Sequence, residues 1–329
     1  MPPPTTHDEC SVSKGATGSL SRRESPMTMY AADDIRSKLA PPAQSNPADP
    51  SLPVKPAQYL EFLELEPNEV TERGSRTWHV RSTNAVLSFT EAKAGDVFRR
   101  ADQPDEYTVL SYSESAPMRI VAKGDEHVVA EPAFAVVPPG ASTVEVLEDG
   151  VLVRLFSANA DDLRTAALNA DAYADPDLRV APLRPGPDPQ GGFRLRVYPL
   201  ADAPISPDRF GRIFRTTNLM VNFVPEETGP RDATKLSPHF HDDFEQLSFG
   251  VKGRFTHHVR YPWGPDSTLW RDDEHRDVGT PSVCIIPPPT VHTSQGSGTH
   301  QQLLDIFAPP REDFAEAGWV LNADDYPAE

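Results

Sequence analysis

The 329-residue chain has the composition of a soluble globular protein, with 38% hydrophobic and 24% charged residues. Its formal net charge of −18 repels phosphate backbones and anionic lipid, so we predict no nucleic-acid partner and no membrane partner. No stretch approaches the roughly 20 apolar residues that a spanning helix needs. Only two cysteines are present, which gives no disulfide framework and favours a reducing cytoplasm.

The first segment, residues 1–55, is rich in proline, serine, threonine, alanine and charged side chains. Such a composition holds too little apolar surface to offset the entropy of ordering the chain. We therefore predict a disordered N-terminal tail.

From residue 56 onward the chain contains short runs of β-branched, aromatic and other apolar residues, separated by turn residues. Examples are residues 85–89, 107–110 and 151–156. Many short strands with regular turns are typical of an all-β sandwich or barrel. The proline- and glycine-rich stretch 182–192 ends this region and indicates a linker. We predict a first domain over 56–185, including the beginning of that linker.

The strand pattern resumes over 186–329, for example at residues 219–224, 245–249 and 283–286. Each half contains an apolar strand that leads into a proline-rich turn, at 136–140 and at 285–289. This weak repeat predicts two similar β units in tandem.

The segment 238–245, with the sequence PHFHDDFE, is the most informative part of the chain. Side chains alternate across a strand, so His239 and His241 lie on one face and can share an ion. Glu245 follows after a short polar stretch, and His292 comes just after an apolar strand. Three imidazoles and a carboxylate suit one divalent transition metal (Fe, Mn, Ni, Cu, Co or Zn), and they do not suit calcium.

This pattern, His-x-His-x3-Glu followed later by Pro-x4-His, resembles the two metal motifs of the cupin superfamily. The resemblance implies small antiparallel jelly-roll (double-stranded β-helix) barrels, with metal bound by His239, His241, Glu245 and His292. Pro289 stands where the second motif usually has glycine, which is typical of a divergent member. In the first half Thr143 stands where His292 stands in the second. The resemblance thus implies a bicupin: a metal-free barrel over 56–185 and a metal-binding barrel over 186–329, with a homodimer as a possible assembly.

The strand at 254–261 supplies further candidates for the site. By alternation, His257 lies on one of its faces, and His258 and Arg260 lie on the other. The set that faces into the barrel can bind a substrate carboxylate or act in acid–base catalysis; the alternative for each residue is a solvated outer face. Trp263 and Trp270 flank the following loop and are predicted either to pack at the barrel edge or to form a lid.

A metal held by these four ligands keeps one or two exchangeable positions, at which a small substrate with neighbouring oxygens can chelate it. Cupins with this ligand set include dioxygenases, oxalate-degrading enzymes, isomerases and lyases. Our leading hypothesis is a dioxygenase-type oxidoreductase, with iron or manganese favoured, acting on a small enolic, phenolic or oxygenated substrate. The alternatives are a sugar or sugar-acid isomerase and a non-catalytic cupin that binds a small molecule.

Overall fold

The computed structural model describes Met1, Tyr30, residues 34–39 and residues 51–328. The described residues form mainly β-strands. In chain order these are β1 Gln58–Glu61, β2 Glu69–Val70, β3 Arg76–Arg81, β4 Ala85–Ala92, β5 Val97–Gln103, β6 Tyr107–Ser111, β7 Met118–Ala122, β8 Asp125–Val129, β9 Ala133–Val137, β10 Gly140–Val146, β11 Gly150–Ser157, β12 Arg196–Pro199, β13 Arg212–Arg215, β14 Met220–Phe223, β15 Glu227–Thr228, β16 Gln246–Lys252, β17 Phe255–Arg260, β18 Glu274–Val278, β19 Ser282–Ile286, β20 Val291–Gly296 and β21 His300–Phe307.

Helices are short. Two α-helices are described, α1 (Asp161–Ala166) and α2 (Glu312–Glu316). The 3-10 helices span Ile35–Lys38, Phe62–Glu64, Ala170–Tyr173, Leu200–Asp202 and Ser267–Leu269. No helix in the described part of the chain has the length and apolar character needed to cross a membrane.

The strands build two antiparallel barrels, and each barrel consists of a large sheet facing a small one. In the first, the order β12-β9-β6-β11-β4-β3-β2 faces β5-β10-β7-β8. In the second, β1-β19-β16-β21-β14-β13, with β15 on β21, faces β18-β17-β20. The all-β prediction with two tandem barrels is confirmed.

The two halves of the chain exchange an edge strand. Strand β1 lies early in the chain, yet it pairs with β19 in the second barrel, with Leu60 opposite Val283. In return β12 pairs with β9 in the first barrel, with Val197 opposite Ala135. Sheet membership therefore crosses the predicted boundary between residues 185 and 186 in both directions.

The large sheets of the two barrels pack against each other through aromatic side chains. Phe89 of the first barrel lies 6.4 Å from Phe249 of the second, measured between ring centroids. Phe134 stacks on Phe214 at 5.3 Å. All four rings are at most 2% exposed, so the contact removes a large apolar area from water and stabilises the pair of barrels.

The opposite faces of these sheets line the barrel interiors, and the two interiors differ in polarity. The first barrel is filled largely by apolar side chains, among them Val86, Val109 and Leu152. In the second barrel the matching face carries Asn222, Gln246, Ser248 and Asp305, all at most 7% exposed. Buried polar groups are costly unless they serve a network or a ligand, so this interior is where a site is expected.

The tail predicted over 1–55 lies mostly outside the described residues. Within it, Asp34 caps the 3-10 helix Ile35–Lys38, and its carboxylate accepts a hydrogen bond from the Arg36 amide. Leu39 is buried in an apolar cluster with Phe314 and Trp319, next to the second barrel. This short piece of the N-terminal segment is therefore packed against the fold.

Candidate metal centre

Three of the predicted ligands, His239, His241 and His292, come together at one end of the second barrel. The backbones of His239 and His292 exchange two hydrogen bonds of 3.0 and 2.7 Å, which fixes the two segments side by side. His241 follows on the same face, as the strand-like alternation predicted. One ligand nitrogen from each ring lies within 4.8 Å of the other two, and no side chain is more than 7% exposed.

Backbone carbonyls hold two of these imidazoles in the orientation that a metal needs. Nδ1 of His239 donates to the carbonyl of Ser237 at 2.9 Å, and Nδ1 of His292 donates to that of Thr290 at 3.0 Å. The other nitrogen, Nε2, is thereby left with a lone pair. Burial lowers the pKa of His239 and His241 well below the usual value and that of His292 to about 4. Neutral imidazoles are the form that binds metal.

Gln246, which the sequence analysis did not select, lies against two of the three imidazoles. Its Oε1 is 2.8 Å from His241 Nε2 and 3.3 Å from His292 Nε2. Its Nε2 donates to Asp305 Oδ1 at 2.8 Å and to Ser248 Oγ at 2.9 Å. Since the amide nitrogen is turned toward these acceptors, the amide oxygen points at the imidazoles. A neutral oxygen atom thus lies beside the His241 and His292 rings.

Glu245 lies outside this cluster, although the motif placed it among the ligands. Its carboxylate accepts hydrogen bonds from the Thr83 amide at 2.6 Å and from the Tyr173 hydroxyl at 2.9 Å. Both partners belong to the first half of the chain. Successive residues of an extended chain point in opposite directions, so when Gln246 faces into the barrel, Glu245 faces away. Glu245 joins the second barrel to the segments of the first.

The structure separates the other candidates on strand β17. His257 is 3% exposed, faces the barrel interior, and its Nδ1 lies 2.8 Å from Ser294 Oγ. Burial lowers its pKa to about 3. His258 and Arg260 lie on the outer face, where Arg260 forms an exposed ion pair with Asp273 at 2.7 Å. Of the three residues considered for catalysis, only His257 therefore shares the interior with the triad.

Trp263 and Trp270 stack on each other at the surface. Their ring centroids are 4.4 Å apart with an interplanar angle of 5°, and their exposed fractions are 71% and 43%. The Trp270 indole donates to the carbonyl of Gly264 at 2.8 Å. The pair is a solvent-exposed feature of the loop after β17, and none of its ring contacts is with the triad.

An N-terminal segment covers the triad instead. The Tyr30 ring stacks on His239 with 5.1 Å between centroids. The Arg36 guanidinium lies over Tyr30 at 4.5 Å and over Phe210 at 4.2 Å, and it pairs with Asp34 at 2.7 Å. The composition of residues 1–55, rich in proline, serine, threonine, alanine and charged side chains, gave no signal of this contact. Tyr30 and residues 34–39, hereafter the N-terminal cover, lie next to the site on the side of His239.

No protein-family model matches the chain, and no curated protein matches it either. Solved structures do resemble it. Oxalate decarboxylase from Bacillus subtilis, solved at pH 4.6, has 14% identity and a TM-score of 0.51, with 78% of this chain and 77% of that chain covered. The Lactobacillus farciminis oxalate decarboxylase formate complex has 15% identity and a TM-score of 0.50, with 77% and 86% covered. The chain therefore has the cupin fold in a two-barrel form, and at these identities the likeness concerns the fold alone.

Proposed function

We propose that the second barrel binds one divalent transition metal through His239, His241 and His292, with Gln246 Oε1 as the fourth ligand. The observation that carries this proposal is the convergence of three buried imidazole nitrogens within 4.8 Å of one another, with an amide oxygen 2.8 Å from one of these rings and 3.3 Å from another. The donor set fits such an ion, since nitrogen and neutral oxygen donors suit Mn, Fe, Co, Ni, Cu and Zn. The hydrogen bonds from His239 Nδ1 and His292 Nδ1 to backbone carbonyls fix the orientation of these two rings, as is usual for metal-binding histidines.

The charge of this ligand set indicates the kind of substrate. All four proposed ligands are neutral, so the ligand atoms themselves cancel none of the ion's charge, whereas a glutamate ligand would; the carboxylate of Asp305 contacts Gln246 and not the histidines. A divalent cation held by neutral ligands attracts anionic oxygen donors. We therefore propose that the substrate is a small molecule that chelates as an enolate, a phenolate or a carboxylate.

For the reaction, we propose a dioxygenase-type oxidation of such a substrate. When bound, a redox-active ion supplies a Lewis acid and a path for electrons between substrate and dioxygen. The chain contributes a water-excluding enclosure, in which His241 stacks on Phe244 at 4.4 Å and Phe307 lies 5.8 Å from His241. Tyr30 stacks on His239 with 5.1 Å between ring centroids. Excluding water in this way protects reactive species from hydrolysis.

A second candidate is isomerisation of a sugar acid, and His257 is the observation that favours it. Its ring is the additional buried imidazole on the inward face of β17, and Ser294 fixes its Nδ1. The remaining nitrogen is then free to take or return a proton next to a chelated substrate. Exchange of a substrate C–H with solvent deuterium, lost in His257→Ala, separates this reaction from oxidation.

The metal is tested first. Elemental analysis of the purified protein is expected to find about one transition metal per chain, since the triad forms a single ligand cluster. His292→Ala should lose it, and His275→Ala, which removes an exposed histidine of β18, should keep it. A protein that holds no metal, even after reconstitution, would disprove the proposed centre.

The reaction is tested on the metal-loaded protein. Chelated protein is reloaded anaerobically with Fe, Mn, Ni or Cu, and oxygen uptake is measured with a panel of enolic and phenolic acids. Because the structural neighbours are oxalate decarboxylases, oxalate joins the panel, with carbon dioxide release as its readout. Oxygen uptake that depends on metal and on His292 supports the dioxygenase-type oxidation. Carbon dioxide release without oxygen uptake would instead indicate a decarboxylation, and proton exchange alone would indicate an isomerisation.

A further inference from the structure

Arg154 is a buried cation in the interior of the first barrel, and no described residue forms an ion pair with it. The residue is 6% exposed, and its Nε is completely buried with no hydrogen-bond partner. Among the described residues, none forms a hydrogen bond or an ion pair with its guanidinium. The guanidinium carbon lies over the ring of Phe98, 4.7 Å from the centroid, and over that of Phe156 at 5.8 Å. Buried charges in folded proteins are normally paired, because an unpaired one is strongly destabilising.

The position of Arg154 corresponds to a position next to the metal centre in the second barrel. Tyr107 on β6 pairs with Val137, and Gln246 on β16 pairs with Ile286; each partner directly precedes a Pro-Pro turn. Two residues further along these strands, Val109 pairs with Arg154, and Ser248 pairs with Asp305. Tyr107 and Arg154 thus occupy in the first barrel the places of Gln246 and Asp305 in the second.

Further polar groups gather around the same ring, Phe156. Tyr107 stacks on it at 4.7 Å, and the Tyr107 hydroxyl lies 3.0 Å from Ser142 Oγ. Arg100 lies over Phe156 at 5.5 Å and is held by Asp162 at 2.6 Å. Two guanidinium groups and two hydroxyls therefore lie close to this one ring.

The neighbouring acids are already engaged elsewhere. Asp162 is paired with Arg100, as just described. Glu69, whose charge acts on Arg154 without direct contact, has a side chain that is 61% exposed and lies 3.5 Å from His79 Nε2. Neither carboxylate supplies the planar acceptor that the Arg154 guanidinium lacks.

We propose that the first barrel binds a small carboxylate anion at Arg154. A guanidinium presents parallel N–H donors that match the two oxygens of a carboxylate. The guanidinium lies over the rings of Phe98 and Phe156, and flat aromatic neighbours suit a planar anion better than a tetrahedral one. The two barrels then carry opposite kinds of site: neutral ligands for a cation in the second, and a fixed cation for an anion in the first.

Binding is tested with acetate by isothermal titration calorimetry on the full chain, freed of metal by chelation so that the second barrel cannot bind the anion. Sulfate is the tetrahedral comparison, and sodium chloride keeps the ionic strength constant. One acetate per chain is expected in the wild type and in His292→Ala. Arg154→Met should weaken binding by at least about tenfold, the loss expected for a charge-assisted bidentate contact. Arg99→Met, an exposed arginine of β5, is the matched control and should bind as the wild type does.

Thermal unfolding distinguishes a binding arginine from a merely structural one. In acetate-free buffer Arg154→Met should be at least as stable as the wild type, because it removes an unpaired buried charge. Acetate should raise the unfolding midpoint of the wild type and leave that of Arg154→Met unchanged. Arg154→Lys keeps the charge but loses the parallel N–H donors of the guanidinium, so acetate should raise its unfolding midpoint only slightly. The proposal fails if acetate does not bind, if it binds Arg154→Met equally well, or if sulfate matches acetate.

Discussion

Gln246 and Asp305 lie diagonally across the neighbouring strands β16 and β21, with the amide Nε2 2.8 Å from the carboxylate Oδ1. A carboxylate only accepts hydrogen bonds, so it selects the amide orientation in which nitrogen faces Asp305 and oxygen faces the histidines. One buried carboxylate, itself outside the triad, thus determines which atom of Gln246 the metal would meet.

Replacing Asp305 by asparagine tests this orientation. The new side chain offers both a donor and an acceptor, so the Gln246 amide can rotate and present nitrogen to the site. We expect metal affinity to fall by about 10–100-fold, the range for loss of such an outer-shell partner. Competition titration with a chromophoric chelator measures the change, with the exposed Asp277→Asn on β18 as control. Equal affinity in the two variants would show that Asp305 does not orient the amide.

Two variants, Glu245→Gln and Gln246→Ala, test whether the fourth metal ligand is Glu245, which the sequence motif implies, or Gln246, which we propose from the structure. Glu245→Gln keeps the site and loses one of two accepted hydrogen bonds, so it should retain metal and lower the free energy of unfolding by about 1–3 kcal/mol. Gln246→Ala should lose metal affinity instead. Metal content and urea denaturation are measured for both. If only Glu245→Gln loses metal, the fourth metal ligand is Glu245 and not Gln246.

The N-terminal cover is expected to slow the exit of the metal. Tyr30 stacks on His239, and its removal opens that side of the triad to solvent. Tyr30→Ala should therefore release metal to an excess of chelator several-fold faster, with little change in equilibrium affinity. Stopped-flow chelation measures the rate, and Trp263→Ala, which removes an exposed ring, is the control. Identical release rates would mean that metal leaves by another route.

Glu106 should make stability depend on pH. It is 0% exposed, and its carboxyl accepts hydrogen bonds from the Tyr326 hydroxyl at 2.7 Å and the Thr217 amide at 3.2 Å. Burial raises its pKa above the ordinary 4.5, and the opposing effects of these hydrogen bonds and of nearby Arg196 are smaller. Its stabilising contribution is therefore complete below 4.5 and is lost as pH rises through the folded pKa.

Glu106→Gln removes this titration. The free energy of unfolding of the wild type, relative to that of Glu106→Gln, should fall as pH rises from 4 toward 8, in urea denaturation at fixed ionic strength. The comparison cancels every other titrating group shared by the two proteins. A constant difference across this range would mean that Glu106 has the same pKa in the folded and unfolded states.

Strand alternation explains why much of this fold and site could be predicted. His239 and His241 share a face by spacing alone, and His292 follows an apolar strand, so the triad is visible in the sequence. The sequence does not show whether Glu245 or Gln246 faces the triad, because that depends on how the turn after His241 enters β16.

In the first barrel a bulge between Gly140 and Ser142 places Ser142, rather than Thr143, on the inward face.

Long-range contacts left no local signal. The pairing of β1 with β19 joins segments more than 200 residues apart, and each strand alone has the pattern of any short strand. The packing of Tyr30 on His239 is equally distant in sequence. Such contacts are decided by the shape of the assembled barrels, which a single sequence without its fold does not reveal.

The exchanged edge strands make the two barrels interdependent in folding. If the chain is cut within 182–192, the C-terminal fragment lacks β1 and the N-terminal fragment lacks β12. Each isolated fragment would expose an unpaired sheet edge, which favours aggregation over independent folding. The cut protein should instead persist as a tight complex of two pieces and melt in one transition. Metal binding at the proposed site in the second barrel would then depend on whether the first barrel is folded.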